Sequence, residues 1–320
     1  MKNLPKVPLL LLFSLVGFNA MAQINGRDFT AVDNYVKKLG SLDSMSMGTI
    51  NNVVSKKFTD KIDKARAIYD WIAMNIKYDV KSARANNTAK NSPTDVLLYR
   101  KAVGIGFASL FQDMCSSANI RCLTVDGFVK NNVDDIGEKS MEINHSWAVV
   151  QLGESPDTWY YVDPAFGSGF TDNEMKEFTV AFTDAYFFTD KLTFNLQHYP
   201  DNLAWKLGSG PKSKKEFFDL PVFKTAAVEF GIKRLFPNDG NLKAKAGKPV
   251  NFNFNLSNMD KITKVQIGIG QRKKYKEIDI PFTAKAGVLS FSYTFPEEDN
   301  FPITILINGK QLVMYNVDTN

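Results

Sequence analysis

The 320-residue chain sets 39 Lys and Arg against 34 Asp and Glu, a formal charge of +5, with 44% hydrophobic residues. That is enough chain for one large domain or two ordinary ones, and too weak a basic excess to argue for nucleic acid. Two His and two Cys, with no Cys/His cluster, point to no structural zinc, no haem and no other cofactor.

Residues 1–22 read as an export signal. Lys2 and Lys6 form a basic start, "VPLLLLFSLVGF" is an apolar stretch, and "AMA" at 20–22 is a small-residue cleavage site. Cleavage before Gln23 would leave 298 residues at +3, with no Cys near the site to accept lipid. The expected destination is the periplasm or the cell exterior, which also argues against nucleic acid. No later stretch approaches the ~18 uninterrupted apolar residues of a membrane helix.

Residues 23–57 form a polar lead-in with one helix around "FTAVDNYVKKLG", stopped by Gly40. From 58 to 79, Ile62, Ala65, Tyr69, Ile72 and Ile76 fall on one helical face, and Thr59 or Asp60 can cap its start. After a polar loop, "KAVGIGFASLFQDMC" at 101–115 runs through two glycines into Phe107, Leu110, Phe111 and Met114 at helical spacing, a helix within 101–118. Strands follow at 121–129, 145–152 and 158–163, with a long loop between the first two.

At 207–225 the text turns Gly/Ser/Pro/Lys-rich and reads as a linker. Residues 226–320 alternate in short strand-like runs, including a hairpin around Asn308-Gly309. About seven strands fit a small β-sandwich of immunoglobulin type. The basic run at 272–277 reads as a solvated strand end or turn.

Cys115 and Cys122 lie close together in a chain read as exported. They fit equally a disulfide or two buried thiols at a helix end and on the next strand.

The residues suited to chemistry are His145, at the start of one strand, and Asp163, at the end of the next. Pairing of those strands can bring imidazole and carboxylate within hydrogen-bond reach, the arrangement that activates a thiol or hydroxyl. The same pair serves equally to hold two strands together.

The order of helix, His strand and Asp strand, with "RAIYDWIAMNIKYD", "AVGIGFASLFQDMCSSANIRCLTVDGFVK", "NHSWAVVQL" and "WYYVDPAFGSGF", resembles the transglutaminase-like branch of the papain-type cysteine enzymes. It is most similar to the group that includes kyphoscoliosis peptidase, over about residues 58–207. The resemblance implies an α+β fold with a papain-like core at 58–206, followed by the β-sandwich. It places the catalytic His on His145 and the Asp on Asp163. The nucleophilic Cys opens a C-x-G-[YF]-[AS] motif that here reads "GIGFA", so its position is Gly104.

Loss of such a nucleophile typically costs on the order of a millionfold in turnover. Relocation fails on helix geometry, since Cys115 lies ~16 Å further along the axis, while Ser109 is ~7.5 Å along and turned away. Water activated by His145 and Asp163 would be poor catalysis without a metal, and no ligand set suggests one. His198 reads as structural.

The expected function is therefore a pseudoenzyme that binds peptide, protein or cell-wall peptide in the former substrate cleft. Gly104, Ile105, Gly106, Trp147 and Phe166 are the candidate binding residues, with the helix N-terminus offering N–H groups. The alternatives are an active peptidase or acyltransferase with an unrecognised nucleophile, and an assembly protein acting through its β-sandwich.

Overall fold

A computed structural model describes residues 26–138, 142–270 and 275–320. The segment read as an export signal lies outside them, as does the first half of the basic run at 272–277.

The lead-in forms two helices where the sequence suggested one: α1 (Thr30–Leu39), ended by Gly40 at φ 65°, and α2 (Met47–Ser55), capped by Ser46. Both dock on the first core through Val32, Val36, Ile50 and Val54. α3 (Lys61–Asn75) starts on Asp60, whose carboxylate accepts the Ile62 and Asp63 N–H groups. Its neighbour α4 (Gly104–Ser117) buries Phe107, Leu110, Phe111 and Met114 completely.

α4 packs across a four-stranded antiparallel sheet. The strands are β1 (Arg121–Val129), β2 (His145–Gln151), β3 (Trp159–Val162) and β4 (His198–Pro200), in the order β3-β2-β1-β4. β2 and β3 pair antiparallel with Ala148 opposite Val162, as the sequence pattern required. α5 (Lys191–Gln197) leads directly into β4.

The stretch expected to be a linker is structured. It carries α6 (Lys214–Asp219), with Phe217 and Phe218 buried, and β5 (Val222–Phe223), which pairs with the last strand of the chain. Two aromatic anchors outweigh the Gly/Ser/Pro composition around them.

The C-terminal unit is two sheets around a second core of Phe252, Phe254, Ile267, Ile305 and Tyr315. One sheet runs β6-β8-β12-β11 (Ile232–Phe236, Pro249–Leu256, Val288–Thr294, Thr283–Lys285). The other runs β7-β14-β13-β9-β10 (Asn241–Ala244, Lys310–Thr319, Asn300–Ile307, Val265–Ile269, Lys276–Asp279), with β5 also on β14. The β13–β14 hairpin turns on Asn308 and Gly309 at φ 53° and 77°, as a type I′ turn demands.

Candidate functional site

His145 begins β2 and Asp163 directly follows β3, so the sheet carries both to one end. His145 Nε2 lies 2.7 Å from Asp163 Oδ2. Asp163 also caps the short helix Pro164–Ser168, its Oδ1 accepting the Ala165 and Phe166 N–H groups at 3.0 Å each.

The opposite edge of the imidazole faces the start of α4. A Cβ placed on Gly104 would stand 2.6 Å from His145 Nδ1, 3.0 Å from its Cε1 and 3.1 Å from the Ser146 nitrogen. The His145 ring therefore leans into the space that a side chain at 104 would need. Gly106 and Phe107 turn their N–H groups onto the Val103 carbonyl, leaving those of Gly104 and Ile105 beside the cleft.

His198 completes the arrangement. Its Nε2 lies 3.0 Å from the same Asp163 Oδ2, and its ring stacks on Phe194 at 3.9 Å. Burial alone would raise the Asp163 carboxyl, but the charge and hydrogen bonds of His145 and His198 outweigh it and hold the group well below the usual carboxylate range. Burial pushes His198 down against the pull of Asp163, so its imidazole is neutral.

An ionised Asp163 accepting from both rings fixes each Nε2 as a donor. In its neutral form His145 then presents the Nδ1 lone pair toward Gly104.

The ligand atoms of His145, Asp163 and His198 all lie within 4.8 Å of one another, a trio that could hold a metal ion. The sequence offered no ligand set because His198 lies 35 residues beyond Asp163 and only the fold adds it. As the trio stands, both Nε2–H groups are spent on Asp163. A cation there would have to displace the two protons that anchor the carboxylate.

In front of His145 opens a cleft of about 1250 Å³ that reaches the C-terminal unit. Gly104, Ile105 and Phe166 line it as expected, and the Phe166 ring meets His145 edge-on at 4.9 Å.

Two candidate binding residues fall elsewhere. Gly106 is buried where a Cβ would press on Asn91 and lie 2.7 Å from the Ala102 Cβ, so packing requires it. Trp147 shares the His145 face of β2 but lies two residues further along the strand, where it is wholly buried among Phe194, His198 and His145.

Neither cysteine is bridged, and both are buried at the far end of α4. Sequence reading missed Ser146, Asp126, Phe170, Lys130 and Lys224 in the cleft wall. Ser146 Oγ donates to Asp126 at 2.6 Å.

Residues 49–164 match the family model of the transglutaminase-like superfamily, a span that holds Gly104, His145 and Asp163. The chain is 31% identical over 200 residues to kyphoscoliosis peptidase of Mus musculus, covering 62% of this chain and 30% of that one. The Homo sapiens protein of the same name is 29% identical over 223 residues, 69% of this chain and 33% of that one. Hillarin of Drosophila melanogaster is 24% identical over 225 residues, 64% of this chain and 26% of that one. The matched part spans between a quarter and a third of the length of these relatives.

The α+β unit is a transglutaminase-like domain. Within that superfamily the chain belongs to the kyphoscoliosis-peptidase-like group.

Proposed function

We propose that this is an exported transglutaminase-like protein that binds peptide or protein ligands, cell-wall peptides among them, in the cleft before His145 without cysteine-based turnover. The observation that carries the reading is Gly104 at the head of α4, facing Nδ1 of a His145 still paired to Asp163. The site has lost an attacking atom while keeping groups that recognise a peptide unit. A peptide carbonyl suits the N–H groups of Gly104 and Ile105, and a peptide N–H suits the Nδ1 lone pair. Cys115 and Cys122 are buried and Ser109 Oγ is turned onto the Ile105 carbonyl, so none of these three is placed to act as a substitute nucleophile.

The test is an amidase and transamidase assay run beside labelling by thiol-directed suicide substrates and equilibrium binding of cell-wall stem peptides. Binding without turnover or labelling is expected. Turnover with covalent capture at Cys115 or Cys122 would overturn the reading.

A second reading rests on the same Nδ1 lone pair, which can take a proton from water as a general base. It requires slow hydrolysis that His145→Gln abolishes.

A further inference from the structure

The end of the cleft against the C-terminal unit is walled by two lysines from different parts of the chain. Lys130 follows β1 and is only 6% exposed, while Lys224 follows β5. Each donates across the junction between the units. Lys130 Nζ donates to the Phe217 carbonyl and, at 2.8 Å, to that of Leu220, and lies 4.6 Å from the centre of the Phe217 ring. Lys224 Nζ donates to the Asn131 carbonyl at 2.6 Å.

Neither has a carboxylate within ion-pairing distance among the described residues. Burial pushes Lys130 down to about 7 and Lys224 down to about 8, against the more distant pull of Asp135 on both.

The other charges nearby do not close the balance. Asp135 is held by the Asn131 and Asn132 N–H groups, and burial pushes its carboxyl up. Asp219 also attracts Lys130 but is ion-paired to Lys215, and Glu229 in the cleft is ion-paired to Lys310 at 2.6 Å. Two ammonium groups therefore share one carboxylate in a wall where Lys130 is buried and Lys224 half-buried, and an uncompensated charge is costly there. Lys224 has three N–H donors and spends one.

We infer that this wall is a carboxylate subsite: the Lys224 ammonium, backed by Lys130, takes an acidic side chain or the free C-terminus of a peptide in the cleft. The inference rests on the peptide-binding reading and deepens it. One carboxylate supplies the missing counter-charge and meets the unspent donors of Lys224. It would also anchor one end of a ligand whose peptide group lies against Gly104 and His145.

Four matched acetylated peptides built on Ala-Phe-Ala test this by calorimetric titration. They end in Glu amide, Gln amide, Ala free acid and Ala amide. At least one acid peptide is expected to bind about tenfold or more tighter than its neutral partner, the worth of one charge-assisted hydrogen bond. Which pair differs tells a side-chain carboxylate from a terminal one.

The gain should vanish in Lys224→Met, with folding verified by thermal unfolding, and persist in Lys224→Arg, which keeps the charge. It should also fade as pH rises through about 8, where Lys224 loses its proton. Equal binding by acid and neutral peptides, or a gain that survives Lys224→Met, removes the subsite and leaves peptide binding standing. Failure of all four to bind removes both.

Discussion

Residue 104 and the imidazole of His145 compete for one space: a Cβ on Gly104 would stand 2.6 Å from Nδ1, inside contact distance. Gly104→Ala must therefore push the ring aside or strain the start of α4. Overpacking of this kind costs about 1–3 kcal/mol, read from the denaturant midpoint. A loss below about 0.5 kcal/mol would show that the ring moves freely, since that is the range of unconstrained surface changes. Gly104→Cys asks more. If His145 shifts far enough to clear the new Cβ and keeps Asp163, the new thiol lies beside an imidazole and a helix N-terminus, and its pKa should fall below ~7 in a pH profile of alkylation rate. An ordinary value near ~8.5 would mean that the ring had been driven out of line.

The shared carboxylate of Asp163 predicts two acid-sensitive steps in stability. His198 is held neutral when folded and titrates near ~6.5 when unfolded, so the unfolded chain takes up more protons as pH falls through that value. Stability is then fully present above ~6.5 and declines below it. Asp163 is held low when folded and titrates near ~3.9 unfolded, so its contribution is present above ~3.9 and lost as pH falls further. Asp163→Asn removes the charge that both rings address, a loss of about 3–5 kcal/mol for breaking a buried pair. Urea unfolding across pH 3–8 checks all three. Wild type and Asp163→Asn falling in parallel through the lower step would refute the assignment to this carboxylate.

The parts of this site legible in the sequence are those fixed by local periodicity. α4, the two strands and the His145–Asp163 relation follow from spacing, because alternation and strand pairing alone bring these residues to one end of the sheet. His198 looked structural because its share in Asp163 depends on β4 joining β1 from far along the chain. Gly106 looked like part of the cleft because sequence adjacency to Gly104 hides that Asn91 and Ala102 fill its other side. Lys130 and Lys224 carried no signal at all. A lysine after a strand is ordinarily solvated, and only the docking of the C-terminal unit buries Lys130 and half-buries Lys224. The 207–225 stretch failed for a related reason, since composition counts glycines and serines but not the two phenylalanines that pin it.

The buried lysines predict a rise in stability with alkali. Both are depressed in the folded protein, to about 7 for Lys130 and about 8 for Lys224, while an unfolded lysine titrates near ~10.4. Between those values the unfolded chain binds more protons, so stability grows as pH rises from about 7 toward ~10. Most proteins are most stable between ~5 and ~8, which makes an alkaline rise diagnostic. Lys130→Met should shrink the rise to the part Lys224 supplies and be neutral or stabilising at pH 7, because it replaces an uncompensated charge with an apolar stem. A flat wild-type profile between pH 7 and 10 would show that water reaches both ammonium groups.

The two cysteines predict a chemically silent protein. Cys115 is completely enclosed, and burial followed by its hydrogen bond with Cys122 pushes the thiol well above its ordinary value. Cys122 is 4% exposed on β1. The thiolate is the reactive form, so Cys115 lacks both access and ionisation. Iodoacetamide at pH 8 should modify neither residue in the native protein and both after denaturation, as counted by intact mass. Rapid native labelling of one cysteine, quenched by a bound peptide, would place a working thiol in the cleft and return the protein to the enzymes.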